Sequence, residues 1–279
     1  MLFRSRFGDC KDKAALLVAL LRRLDIPATP VLVSTRLRDA VRQRQASPLA
    51  FDHVITRVDL AGTTYWLDAT RGHQTGPLAQ RQAGAYGAGL ALEPGATALA
   101  SLPRPFDTLF VDVEDRFTVE SFTQPLKLQS RVTYRADLAE MFREALATRS
   151  VKEVAADMVE RYVRMYPGIR ALADVRLERS EDEDAITFVH SFELPTTFWR
   201  FPEQRVLSGE VGHWAVAQVL AVPRSEKRRD PLGFGLAGRH RQVIRMDFPE
   251  DVFKEGGRQG ADEAAPGVEL HADATTQPR

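Results

Sequence analysis

Three side chains in the first quarter of the sequence have the types and the order for nucleophilic chemistry: Cys10, His53 and Asp68. A thiol attacks a carbonyl effectively only as thiolate, and the open amides at a helix start favour negative charge there. An imidazole is then needed to carry protons to and from the reacting group, and a third polar group commonly fixes the ring. Cys10 is the only cysteine, so no intrachain disulfide forms, and the chain has no asparagine that could orient a histidine. Taken singly, each residue has a plainer reading: a small buried thiol, a hydrogen-bonded histidine at a strand start, an aspartate that ends a strand.

The elements that must position the three are legible. Gly8-Asp9 breaks the chain and supplies a capping residue, and Ala14–Leu24 is Ala/Leu-rich without Gly or Pro. This predicts a helix with Cys10 at its start, apolar on most faces and therefore central in a core, stopped by Asp25-Ile26-Pro27. Ala28–Thr35 reads as a buried strand and Arg36–Ala50 as a polar loop. His53–Asp59 and Thr64–Thr70 read as two strands joined by a turn at Ala61-Gly62. That turn sets His53 opposite Thr70, with Asp68 two residues away on the same face. A shift by two would oppose His53 and Asp68 directly, whereas a slip by one would put them on opposite faces.

The local sequences carry a resemblance. Gly8-Asp9-Cys10-Lys11-Asp12-Lys13-Ala14 resembles the cysteine motif of bacterial transglutaminase-like proteins, a papain-like superfamily of cysteine enzymes. Phe51-Asp52-His53-Val54-Ile55 resembles their histidine motif. Tyr65-Trp66-Leu67-Asp68-Ala69-Thr70 resembles their aspartate motif, with Ala69 where Pro is common. The match covers roughly residues 7–105. It implies Cys10 as nucleophile, His53 as general acid/base and Asp68 as orienter, acting on a protein or peptide amide through a thioester; no cofactor and no metal are expected. In the branch with β-sandwich domains flanking the core, relatives carry a helical half upstream of the cysteine. The resemblance therefore implies an N-terminally shortened core, with part of the oxyanion-stabilising machinery upstream.

The expected fold class is α+β. Residues 1–105 would form a partial transglutaminase-like core with the Cys10 helix packed on an antiparallel sheet. Residues 106–253 would form a β-rich domain with two helices, and 254–279 a disordered, polar tail. Arg71–Pro105, rich in Gly, Ala and Pro, reads as wrapping and linker. In the second region Thr108–Val113, Arg116–Phe122, Leu126–Arg135, Asp174–Arg179, Ala185–Leu194, Gly209–Val222 and Arg239–Phe248 read as strands. Asp137–Ala147 and Val151–Tyr166 read as helices, and the acidic turn Glu181–Asp184 as a hydrated hairpin tip. Arg228-Arg229-Asp230-Pro231-Leu232, leading into a strand that ends at Pro249, resembles the β-rich extension of that branch.

Composition narrows the function classes. The 38 basic and 38 acidic residues balance, which argues against a nucleic-acid binder. No apolar run approaches the ~20 residues of a membrane helix, so no membrane insertion is expected. The first residues, Met1 to Arg6, do not read as a secretory signal. The six histidines are scattered without zinc-ligand spacing. Three readings remain: acyl transfer to an amine, hydrolysis of an amide by a cysteine peptidase or amidase, and a non-catalytic binding module or inactive shortened chain.

Overall fold

Ala61 and Gly62 take left-handed backbone, with φ of 49° and 78°, the pair of conformations that matches the twist of two adjoining strands. In the computed structural model, which describes residues 7–103, 108–180, 182–200, 207–215, 238–252, 257–265 and 268–276, this turn joins β2 (His53–Leu60) to β3 (Thr63–Leu67). β2 pairs on its other side with β1 (Ala28–Val33). β1 then pairs with β4 (Ala88–Ala91), which pairs with β5 (Ala100–Ser101), giving an antiparallel sheet in the order β3-β2-β1-β4-β5.

β4 falls inside the stretch whose composition predicts only wrapping and linker. Gly89 is small because it lies close beside β1: a Cβ on it would stand 2.7 Å from a Val31 methyl. The strand is defined by its partner rather than by its own pattern.

One helix, α1 (Cys10–Arg22), covers one face of this sheet. It starts earlier than the Ala/Leu run because Asp9 caps it. The Asp9 carboxylate accepts from the amides of Lys11 and Asp12, and Asp12 reaches back to the Asp9 amide, a reciprocal cap that permits a polar first turn. Val18 packs with Ala28 and Val58, joined by Leu21, Tyr65 and Leu67. The helix is not central, contrary to the expectation from its apolar faces. Only Ala14 and Val18 are buried, and Leu20 faces outward, 48% exposed. Among the described residues a single sheet packs against it.

The second region is a larger sheet in the order β11-β6-β7-β10-β8. It is built from β6 (Leu109–Thr118), β7 (Leu126–Arg135), β8 (Arg170–Ala171), β10 (Ala185–Leu194) and β11 (Arg239–Asp247), with β9 (Arg176–Arg179) also on β10. Two helices, α2 (Ala136–Leu146) and α3 (Val151–Met165), lie against it. Strict alternation on β7 (Leu126, Leu128, Ser130, Val132 and Tyr134 inward) fixes the buried face. The core there is aromatic, with Phe117, Phe188, Phe192 and Tyr162 almost sealed from water. The fold class is thus α+β.

Several expectations are corrected here. The two strands expected at Thr108–Val113 and Arg116–Phe122 are one, because Asp115 turns inward, where Tyr162 and Gln242 bond it. The described part of Gly209–Val222 is not a strand. Its amides bond side chains instead, Gly212 to the Tyr166 hydroxyl and Ala215 to Gln242. Asp184 does not belong to a hydrated tip: it is 6% exposed and paired with Arg143 at 2.6 Å. The described part of the tail expected to be disordered forms an exposed antiparallel pair of strands, β12 (Gly257–Ala265) with β13 (Val268–Thr276). The backbone ladder, which composition does not reveal, gives that order. The segment Arg228–Leu232 lies outside the described residues.

Candidate active site

The β2–β3 register runs from Leu60 opposite Thr63 to Thr56 opposite Leu67. Continued by the same count, it sets Thr70 opposite His53 and Asp68 opposite Ile55. The alternation of side chains then puts His53, Ile55 and Asp68 on one face. The ladder stops at Leu67, and Asp68 turns its carboxylate onto the next residues. Its Oδ1 accepts from the Thr70 amide at 2.9 Å and the Thr70 hydroxyl at 2.6 Å, and the Arg71 amide donates to its carbonyl at 3.1 Å. The other oxygen, Oδ2, meets His53 Nε2 at 2.7 Å. Both side chains are enclosed, His53 12% and Asp68 2% exposed.

With Nε2 taken, His53 has Nδ1 left for a second partner, and Cys10 lies near enough to the ring to raise its pKa. His53 is the first residue of β2, so its ring is at the end of the strand, where the tip of α1 reaches it. The imidazole is held above its ordinary pKa, first by the bond to Asp68, against the effect of burial, and further by Asp68's charge and by Cys10. For Asp68 itself burial acts upward, but the bonds from His53 and Thr70 together outweigh it and leave the carboxyl below its usual range. The structure therefore brings the three sequence-singled residues together.

The amides of the first helical turn are partly spoken for. Asp9 takes those of Lys11 and Asp12, and Lys13 bonds the Asp9 carbonyl at 3.0 Å. The Cys10 amide has no acceptor among the described residues. Asp52, beside His53, fastens the loop that leaves β1: its carboxylate accepts from the Thr35 amide at 2.7 Å and hydroxyl at 3.0 Å.

Two further residues belong to the site and have no motif of their own. Tyr86 donates its hydroxyl to Asp68 Oδ2 at 3.1 Å and leans its ring on His53, centroids 5.8 Å apart. Burial, then the Asp68 charge, pushes the Tyr86 hydroxyl far above its ordinary pKa. The only local signal is an aromatic between Gly84 and Gly87, both at positive φ. Arg71, three residues after Asp68, crosses to α2. There it bonds Glu140 at 2.5 Å and Asp137 at 2.7 Å, and it also bonds the Gln82 carbonyl at 2.9 Å. Arg143 continues the joint to Asp184 and the His73 carbonyl. The chain after Asp68 is thus bolted to the second region.

Among the described residues no group of three or more His, Cys, Asp and Glu side chains is arranged to hold a metal ion. None of their helices is long and apolar enough to cross a membrane. No protein-family model, no curated protein and no solved structure matches this chain.

Proposed function

We propose that this chain is a transglutaminase-like cysteine enzyme acting on amide bonds. The observation that carries the reading is the 2.7 Å bond between His53 Nε2 and Asp68 Oδ2, with Cys10 near enough to act on the same ring. In the proposed reaction Cys10 passes its proton to His53 and its sulfur attacks the carbonyl carbon of a peptide-like amide. As the C–N bond breaks, the His53 imidazolium gives its proton to the departing amine, leaving a thioester on Cys10. His53, now neutral, takes a proton from the acceptor as it attacks the thioester; the C–S bond breaks, the acyl product leaves, and His53 returns the proton to the sulfur, which restores the thiol. Asp68 keeps the ring turned and stabilises its charged form. The Cys10 amide, next to the sulfur and without an acceptor among the described residues, supplies a donor for the carbonyl oxygen as charge develops on it. A helix on one face of an antiparallel sheet, with Cys10 at its tip and His53 and Asp68 at a hairpin, is the arrangement that the motif resemblance implies.

A specific observation favours water as the acceptor. Cys10 is half-buried at a helix tip whose neighbour Phe7 is 82% exposed. Transfer to an amine requires a site from which water is excluded, whereas hydrolysis requires only that water reach the thioester. Hydrolysis, the amidase form of the same chemistry, is the second reading.

Labelling with iodoacetamide near neutral pH tests the proposal. The expected result is alkylation of Cys10 much faster than of a simple thiol, slowed by about 10²-fold or more in His53→Ala. Equal rates in the two proteins would leave the fold as a binding module.

A further inference from the structure

We infer that Tyr86 is a positioning residue of this site, which fixes the Asp68 carboxylate and limits how strongly it draws the proton of His53. The inference rests on the proposed Cys10–His53–Asp68 reading and extends it to a residue that no motif marks. Three observations carry it. The Tyr86 hydroxyl and His53 Nε2 bond the same oxygen, Asp68 Oδ2, at 3.1 and 2.7 Å, while Thr70 occupies Oδ1 with two bonds. The carboxylate therefore has a donor on every side and one orientation. The Tyr86 ring also leans on the imidazole, centroids 5.8 Å apart. Tyr86 itself is set by backbone: its amide bonds the Gly84 carbonyl at 3.0 Å, and its carbonyl accepts from Ala88, the first residue of β4, at 2.8 Å. Gly84, at φ 111°, lets the ring lie over it; a Cβ there would stand 3.2 Å from the ring.

The consequence is a shared acceptor. A phenol that donates to Oδ2 withdraws negative charge from the oxygen that faces Nε2, so Asp68 stabilises the imidazolium less than it would alone. Arg71 and Asp137 also act on the phenol from nearby, with opposite signs. Removing the hydroxyl while keeping the ring should strengthen the His53–Asp68 pair and loosen its geometry.

The test is Tyr86→Phe, with the His53 imidazole titrated by NMR and Cys10 alkylation by iodoacetamide followed against pH. The expected result is a His53 titration about half a pH unit higher than in the unaltered chain, with the alkaline limb of the alkylation profile moved the same way. In an Asp68→Asn background the same substitution should move neither curve, because Tyr86 acts through Asp68. A Tyr86→Phe protein whose curves superimpose on those of the unaltered chain overturns the inference. So does an equal shift in the Asp68→Asn background, which would assign Tyr86 a merely structural role. If Cys10 of the unaltered chain alkylates no faster than in His53→Ala, the catalytic reading falls, while the His53 titration still decides what Tyr86 does. Tyr86→Trp keeps a ring and an N–H donor; restoring the original titration with it supports donation rather than packing, and failure to restore it counts against donation.

Discussion

The two sheets each enclose a histidine and an aspartate, and they treat them in opposite ways. In the first, His53 faces Asp68, and the pair share a proton-bearing contact that lifts the imidazole and lowers the carboxyl. In the second, His190 on β10 is 1% exposed, lies flat on Phe192, and neither ring nitrogen has a partner among the described residues. Burial alone lowers it to about 4. Asp115 lies in the same layer at 3% exposure and accepts from the Tyr162 hydroxyl and from Gln242. Those neutral donors do not offset burial, so its carboxyl is raised. What separates the regions is pairing, not depth: a buried acid stays charged where a cation and a backbone amide face it, and resists ionisation where only neutral groups do. The first region is built to hold charge. The second holds a neutral polar knot in which Tyr162 also bonds Ser130 and Trp214.

The contrast can be broken most severely by acid. His190 has a folded pKa below its unfolded value of about 6.5, so the unfolded chain takes up the proton first. Its contribution to stability is complete above about pH 6.5 and is lost as pH falls toward 4, by roughly 3 kcal/mol. His53 has the opposite sign: its contribution is complete below the unfolded pKa and is lost as pH rises through the raised folded value. Urea unfolding at pH 7 and 4.5 should show His190→Phe, which keeps the stack on Phe192, losing markedly less stability on acidification than the unaltered chain. Equal losses would mean that His190 is not held neutral.

The joint between the regions gives the next effect. Arg71→Ala removes the cation from Glu140, which is 8% exposed, and should cost roughly 2–4 kcal/mol in urea unfolding. Arg71→Met with Glu140→Met should recover much of that loss, since no charge is then left buried alone. If the double variant is no better than Arg71→Ala, the joint is not an ion pair of consequence.

The smallest effect tests the hairpin. A Cβ on Gly62 meets no atom within 4 Å, so Gly62→Ala probes backbone strain alone and should cost about 1 kcal/mol without changing Cys10 alkylation. A larger loss together with slowed alkylation would indicate that the turn sets the register of His53 and Asp68 less firmly than its geometry implies.

Much of the site was legible in the sequence because it depends on short-range rules. The Ala61-Gly62 turn and a period of two are enough to put His53 and Asp68 on one face, and the Gly8-Asp9 cap is enough to put Cys10 at a helix tip. The fold class followed from the same patterns. The tertiary structure alone decided β4, the Tyr86 hydroxyl on Asp68, the grip of Arg71 on Glu140 and the inward turn of Asp115. In each, the partner lies well away along the chain, or the residue is small or polar and has no periodic pattern of its own. Its place is set by what packs against it, and a local reading contains no term for that.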